Sequence, residues 1–208
     1  MEKSPAQTPF FSFSSMNNQR NCFLPEYKYK RLELTTEAEV RLMIQKARWL
    51  WLKALMAFLY LYGCRITEAL NMRKRHIWTD GTYLIAQIGV LKRRREKKGP
   101  YESFPHLIHV NLNSPFAQDV LIPYLASISD SNTRLWPCSR QLVWRRLKEL
   151  NQLTSPHVFR HDRLMKLALK GATEAELMDW AGWSDPRPAG DYIRPTGRLA
   201  ANMADKID

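Results

Sequence analysis

The sequence predicts a mainly α-helical domain that carries one small antiparallel β-hairpin, an α+β arrangement. Of its 208 residues, 45% are hydrophobic, which is enough to build the core of one sizeable domain. From residue 33 to residue 195, most segments repeat apolar side chains at helical spacing between recognisable caps. Residues 83–91 and 104–110 instead have the composition of two β-strands on either side of a basic segment.

The first two helices have clear start and stop signals. Thr36 and Glu39 have the spacing of a capping box, which predicts that a helix starts here. The apolar residues that follow lie at helical spacing: Val40, Met43, Ile44 and Ala47. A second helix is predicted over about residues 49–62, where Gly63 can stop it. Its apolar run is too short to span a bilayer.

A third, short helix is predicted over residues 66–72, directly after Arg65. Arg65 and Glu68 are three residues apart, so they are expected to share one face. The segment between the two strands holds one acidic and six basic residues, namely Lys92, Arg93, Arg94, Arg95, Lys97 and Lys98. A hairpin with such a tip could reach into a DNA groove, although a solvated charged turn or a localisation-type patch has the same composition.

Helices are predicted again over residues 116–126 and 139–150. In the second of these, apolar Leu142, Val143 and Leu147 alternate with a basic set, namely Arg140, Arg145, Arg146 and Lys148. This pattern favours a helix that packs one face on the core and offers the other face to a phosphate backbone.

The C-terminal part of the chain is predicted to form two further helices. Pro156 opens a helix that holds His157 and Arg160, and Gly171 ends it. The next helix covers residues 173–180, with its C-terminal stop at Gly182. Three residues are expected to weaken any helix ahead of Tyr192: Pro186, Pro188 and Gly190.

The formal net charge of +12 makes a polyanion the expected partner, with nucleic acid as the first candidate. The three cysteines, Cys22, Cys64 and Cys138, are too widely spaced for a zinc site and fit the reduced thiols of a cytoplasm. We therefore expect no metal and no cofactor. The N-terminal residues show no export signal, so the sequence indicates a cytoplasmic protein that acts at the nucleoid.

Several of these residues together could cleave a phosphodiester without a metal. Arg65 and Arg160 could hold one phosphate from two sides, because a guanidinium pairs with two oxygens at once. His157 lies three residues before Arg160 and can move a proton near neutral pH. Tyr192 could act as the nucleophile if neighbouring cations favour its phenolate.

The order and spacing of these residues resemble the catalytic domain of the tyrosine recombinases, or phage integrases, over roughly residues 33–200. Residues 62–70 are similar to that family's Gly-x-Arg-x-x-Glu segment, and residues 155–161 to its His-x-x-Arg box. Residues 181–194 resemble the Cre-like form, in which a tryptophan stands in place of a second histidine ahead of a Tyr-Ile-Arg segment. Residues 88–92 resemble the strand end that bears the family's lysine.

The resemblance implies a role for each residue of the constellation. Arg65 and Arg160 would clamp the scissile phosphate, and Tyr192 would attack it to form a 3′-phosphotyrosyl bond. Lys92 would protonate the leaving 5′-oxygen, with Lys97 and Lys98 as alternatives on the same tip. His157 would assist proton transfer. Trp183 would donate its indole N–H to the phosphate or support the tyrosine helix. Glu68 would orient the arginine and the histidine.

The resemblance also sets expectations for organisation and assembly. Residues 1–32 are expected to form a loose basic arm, too short and polar for the DNA-binding domain that most family members carry there, as in minimal, fimbrial-type invertases. Residues 33–195 would be the catalytic domain, and residues 196–208 a tail that docks on a neighbouring subunit or on its own core. The expected partner is double-stranded DNA, bound by a dimer to tetramer with help from an accessory DNA-binding protein; no membrane is expected.

Three functions fit the sequence. The first is a site-specific recombinase of a prokaryotic, viral or mobile element that integrates, excises or inverts DNA. The second is a non-cutting DNA-binding relative, but such a protein has no need of Tyr192. The third is an enzyme like the type IB topoisomerases, which would use similar chemistry as a monomer without site preference.

Overall fold

The computed structural model describes residues 35–89 and 105–197, which form a helical domain with a small sheet. In chain order the elements are α1 (Glu37–Lys46), α2 (Leu50–Tyr62), α3 (Ile66–Leu70), β1 (Ile77–Thr79), β2 (Tyr83–Gly89), β3 (Pro105–Asn111), α4 (Ile122–Ala126), α5 (Arg140–Leu150), α6 (Pro156–Leu169), α7 (Glu174–Ala181) and α8 (Arg187–Ile193). A π-helical turn, Ala117–Leu121, leads into α4, and short 3₁₀ turns follow α3 and α8. The predicted fold class is confirmed.

Helix α2 is the centre of the core. Its residues from Ala54 to Leu59 are wholly removed from solvent, as expected for a helix that is apolar on every side. Phe58 stacks on Tyr62 with ring centroids 4.5 Å apart and meets Trp136 at 5.6 Å. Helices α1 and α6 and the π-helical turn surround α2. The position of α2 is therefore fixed by its neighbours. The chain runs from the end of this helix directly into the segment that carries Arg65.

The helix caps predicted from the sequence are confirmed. Thr36 and Glu39 form the complete capping box of α1. Gly63 ends α2 with φ of 62°, and Gly182 ends α7 with φ of 63°, both in the left-handed region where glycine is favoured. Gly63 also lies close to α6, since a Cβ at this position would be 2.8 Å from the Cβ and Cγ of Arg163.

The sheet is antiparallel with the order β1-β2-β3. The predicted pairing of β2 with β3 is confirmed, and the phenol of Tyr62 donates a 2.9 Å hydrogen bond to the carbonyl of Leu84 on β2. Strand β1 was not predicted, because three residues are too few for an alternating pattern to be recognised. Along β3, Ile108 and Val110 are buried while Leu107 and His109 are exposed, so one face of this strand packs on the core.

Helix α8 differs from the expectation for the segment ahead of Tyr192. The expected weakening by Pro186, Pro188 and Gly190 does not prevent a helix, which runs over Arg187–Ile193. Both prolines lie at or before the first turn, where a backbone N–H has no helical partner and its absence does no harm. The helix is also held by a second apolar cluster, in which it packs on α6 and α7 through Leu164, Ala168, Leu177, Ala181, Ala189 and Ile193.

Several predictions concern residues outside those that the structure describes. These are the N-terminal arm over residues 1–32, the basic tip with Lys92, and the tail after residue 197. Across the described part of the chain, no helix is both long and apolar enough to cross a bilayer.

We predict that Gly63→Ala lowers the free energy of unfolding by about 3 kcal/mol, because a left-handed residue then gains a Cβ that overlaps the side chain of Arg163. Gly81→Ala is the matched control: Gly81 has φ of 95°, but no atom lies within 4 Å of the added Cβ, so we expect about 1 kcal/mol. Urea denaturation of both variants measures the difference. Equal losses of unfolding free energy in the two variants would show that the close contact with Arg163 does not contribute to the effect of Gly63→Ala.

Candidate functional site

The link between α2 and α3 holds the first residue of the site, Arg65. The carboxylate of Glu68 accepts a 2.8 Å hydrogen bond from the backbone N–H of Arg65 and a 2.7 Å hydrogen bond from its guanidinium. Glu68 is buried with 2% of its surface exposed, whereas the Arg65 side chain keeps 19%. The predicted pair is therefore formed, and a buried carboxylate sets the orientation of a guanidinium that still reaches the surface.

Arg160 on α6 is the second residue, and it is 7% exposed. Its guanidinium donates to the carbonyl of Gly63 at 3.1 Å and to the carbonyl of Ala181 at 2.9 Å. Arginine carries five N–H donors, and these two bonds use two of them. Arg160 thus joins the end of α2 to the end of α7 and keeps donors for an anion.

The charges around Arg160 show which groups share its environment. Burial lowers the pKa of Arg160, and the positive charge of Arg65 lowers it further. The carboxylate of Glu68 raises this pKa, as do the anionic forms of Cys64 and Tyr192. Arg160 binds the carbonyl of Gly63, two residues before Arg65, so the two arginines adjoin each other although they are distant in sequence. An anion bound there would relieve the repulsion between the two arginines.

Tyr192 lies on α8 between two aromatic rings. The ring of Trp183 stacks on it with centroids 5.8 Å apart, and the ring of His161 lies at 5.5 Å. The guanidinium of Arg160 lies over the ring of Trp183, 5.5 Å from its centre. Tyr192 is half-buried, so its ring is held while part of its surface remains accessible.

The other predicted residues have different positions. His157 lies exposed on the first turn of α6, three residues before the buried Arg160. Lys92, Arg93, Arg94, Arg95, Lys97 and Lys98 lie outside the described residues. His161 was not singled out from the sequence, because only the packing of α8 on α6 brings Tyr192 against it. In the sequence, the one indication of a role for His161 was that it directly follows Arg160.

The predicted basic face of α5 is not uniform. Arg140 and Arg145 are exposed, and Val143 and Leu147 are buried. The guanidinium of Arg146 instead lies 4.1 Å from the centre of the Trp49 ring and forms a 2.8 Å salt bridge with Glu149. Arg146 is therefore engaged in contacts within the protein, whereas Arg140 and Arg145 are exposed to solvent. Over residues 35–89 and 105–197, no group of three or more His, Cys, Asp or Glu side chains could hold a metal ion.

Solved structures share this fold. The chain matches the XerH site-specific recombinase bound to a palindromic difH substrate with a TM-score of 0.62 and 11% identity, over 82% of this chain and 52% of that one. It matches the XerA recombinase with a TM-score of 0.60 and 15% identity, over 84% and 64%. It matches the catalytic domain of bacteriophage HP1 integrase with a TM-score of 0.52 and 11% identity, over 84% and 95%.

These likenesses define the fold class, that of the catalytic domains of recombinases and integrases. The chain spans about half the length of the XerH chain. The family is shown by sequence: the chain belongs to the phage integrase family, whose model matches residues 33–197. No curated protein matches the chain significantly by sequence.

We predict that Glu68→Ala lowers the free energy of unfolding by about 3 kcal/mol, because it removes one partner of a buried ion pair and leaves the backbone N–H of Arg65 without its acceptor. Glu39→Ala is the matched control, since Glu39 closes the same kind of capping box at the exposed first turn of α1; we expect a loss of no more than about 1 kcal/mol. Urea denaturation compares the two. A similar small loss for both would mean that burial of the Arg65–Glu68 pair has no energetic consequence.

Proposed function

We propose that this protein is a site-specific DNA recombinase that cleaves and rejoins strands through a 3′-phosphotyrosyl intermediate. The observation that carries the proposal is geometric: the guanidinium of Arg160 binds the carbonyl of Gly63, two residues before Arg65, and lies over the ring of Trp183, which stacks on Tyr192. Membership of the phage integrase family supports it. The XerH relative is described as a site-specific recombinase in a post-cleavage complex with its difH substrate.

In this proposal the two arginines neutralise the scissile phosphate. The phenol oxygen of Tyr192 attacks phosphorus, the new oxygen–phosphorus bond forms, and the bond to the 5′-oxygen breaks. The charge that develops on the phosphate oxygens is stabilised by guanidinium groups that are already in position, which is the main source of rate enhancement in such sites. Glu68 keeps Arg65 in place, so neither arginine has to reorganise during the step.

Two protons must move in the same step. The phenol proton of Tyr192 leaves with assistance from His157, which lies on the same helix as Arg160. A lysine of the basic tip, Lys92 with Lys97 and Lys98 as alternatives, protonates the 5′-oxygen as it leaves. Trp183 supports the tyrosine by stacking on its ring. In this proposal its indole N–H donates to a phosphate oxygen. A 5′-hydroxyl from another strand then reverses the reaction without a cofactor.

The proposal extends to DNA contact and assembly. Arg140 and Arg145 contact the phosphate backbone from the exposed face of α5, together with the basic tip. Strand exchange requires several active sites, so the chain acts as a dimer to tetramer on double-stranded DNA, with residues 196–208 docking on a neighbouring subunit and an accessory DNA-binding protein adding affinity. The site of action is the cytoplasm, at the nucleoid of a prokaryotic host.

We predict that Tyr192→Phe abolishes formation of a covalent adduct with the 3′ end of a nicked suicide substrate while DNA affinity stays within about twofold, since only the attacking oxygen is lost. Tyr83→Phe is the matched control, because Tyr83 is an exposed tyrosine at the start of β2 and should form the adduct at the rate of the unmodified protein.

Denaturing electrophoresis of labelled DNA measures the adduct. Adduct formation by Tyr192→Phe, or none by the unmodified protein on DNA carrying its target, would refute the proposal. Relaxation of random supercoiled DNA by the monomer would instead identify an enzyme like the type IB topoisomerases.

We predict that Arg145→Ala reduces the slope of log affinity against log salt by about 1, because one phosphate contact is lost. Arg146→Ala should leave that slope nearly unchanged, because this guanidinium is held by Glu149 and Trp49. Fluorescence anisotropy with duplex DNA between roughly 50 and 200 mM salt measures both slopes. Equal changes in slope for the two variants would contradict the distinction between the exposed Arg145 and the internally paired Arg146.

A further inference from the structure

Asp162 on α6 is a buried carboxylate that has no part in the chemistry described above. It is 2% exposed and lies two residues after Arg160. One of its oxygens, Oδ2, accepts a 2.9 Å hydrogen bond from the backbone N–H of Thr35, the residue before the N-cap of α1. A buried carboxylate is stable only when polar groups surround it, so the neighbour of its second oxygen is informative.

The second oxygen of Asp162 faces the imidazole of His161. Oδ1 lies 3.7 Å from Nδ1 of His161, which is longer than a hydrogen bond but close enough for electrostatic attraction. The negative oxygen favours the tautomer with its proton on Nδ1, because an unprotonated nitrogen would turn its lone pair towards the carboxylate. Asp162 therefore selects the edge of the imidazole that faces it, and with that edge the orientation of the ring.

The backbone of Thr35 fixes the direction of the Asp162 carboxylate. Lys166 lies one turn further along α6, and its Nζ donates to the carbonyl of Thr35 at 2.8 Å and to the phenol oxygen of Tyr60 on α2 at 3.3 Å. Thr35 is 6% exposed and is held at both its N–H and its carbonyl. Because Oδ2 is committed to this fixed N–H, Oδ1 is kept on the side of His161.

The imidazole of His161 contacts the candidate nucleophile. Its centroid lies 5.5 Å from that of the Tyr192 ring, with 50° between the two ring planes, and Trp183 stacks on the same phenol ring. A rotation of the imidazole about its Cβ–Cγ bond would change its contact with Tyr192. The orientation that Asp162 imposes on His161 is therefore passed on to the tyrosine.

We propose that Asp162 is a positioning residue, which orients His161 against Tyr192 and thereby keeps the phenol in place for its attack. The effect on strand cleavage rests on the function proposed above, whereas the orientation of the two rings does not. The two oxygens of Asp162 have separate tasks, since Oδ2 anchors Thr35 and Oδ1 directs His161. Lys166 shares the first task, because it binds the same backbone from the same helix.

Fluorine NMR of protein labelled with meta-fluorotyrosine tests the orientation without DNA, and Tyr192→Phe assigns the Tyr192 signal. Asp162→Asn keeps an oxygen that can accept from Thr35 but presents an amide N–H to Nδ1 of His161, so it should shift and broaden the Tyr192 signal. Lys166→Met is the matched control: it removes the other bond to Thr35 and should leave the Tyr192 signal unchanged.

The signal of Tyr62, which is wholly buried, reports whether the core of each variant is intact. With the core intact, an unchanged Tyr192 signal in Asp162→Asn would overturn the proposal. An equal change in Lys166→Met would also overturn it, because the anchoring of Thr35 would then account for the whole effect.

The rate of adduct formation at saturating DNA tests the consequence for the reaction. Asp162→Asn should slow the reaction about tenfold with unchanged DNA affinity, because a displaced nucleophile reaches phosphorus less often. In a His161→Phe background the same change should slow it less than about twofold, since the carboxylate then has no imidazole to direct. Lys166→Met should leave the rate nearly unchanged.

An adduct rate unaffected by Asp162→Asn, or an equal loss of rate in both backgrounds, would contradict the role of Asp162 in cleavage. If the unmodified protein forms no adduct on DNA carrying its target, the proposed function fails. The fluorine spectra alone then decide whether Asp162 positions Tyr192.

Discussion

The guanidinium of Arg160 is the contact on which the arrangement of the site depends. It binds the carbonyl of Gly63, 97 residues earlier in the chain, and the carbonyl of Ala181, 21 residues later. These carbonyls lie at the ends of α2 and α7, and Arg65 and Trp183 each follow two residues later. One buried side chain therefore fixes the separation of the segments that carry the other arginine and the support of the tyrosine. An arginine suits this task because it can bind backbone on one edge and still offer donors on the other.

The charges of the site are balanced for a single anion. Two guanidinium groups and the carboxylate of Glu68 leave one net positive charge, which equals the charge of one phosphodiester with opposite sign. Burial makes this balance consequential, because unpaired charges in a medium of low dielectric constant cost several kcal/mol.

The sequence predicted the features that depend on local signals. The capping box at Thr36, the glycine stop at Gly63 and the amphipathic face of α5 could be recognised because each is specified by residues a few positions apart. The arginine pair and Tyr192 emerged from their chemistry and from a family resemblance. Contacts made by folding could not be predicted in the same way: the short strand β1 needs its partner strand, and the position of His161 against Tyr192 is set by the packing of α8 on α6. The sequence analysis expected a weakened helix ahead of Tyr192. Helix α8 nevertheless forms, because apolar packing rather than intrinsic helix preference decides whether so short a helix is stable.

The small buried face of α5 has a consequence for how such an enzyme can diverge. Only Val143 and Leu147 of this helix are buried, so the outward positions make no contribution to the core. Substitutions there can accumulate with little change in folding free energy and without disturbing the arginines, the tyrosine or the helices that hold them. The exposed positions of α5, which we propose contact the phosphate backbone, can therefore change while the reacting groups stay constant.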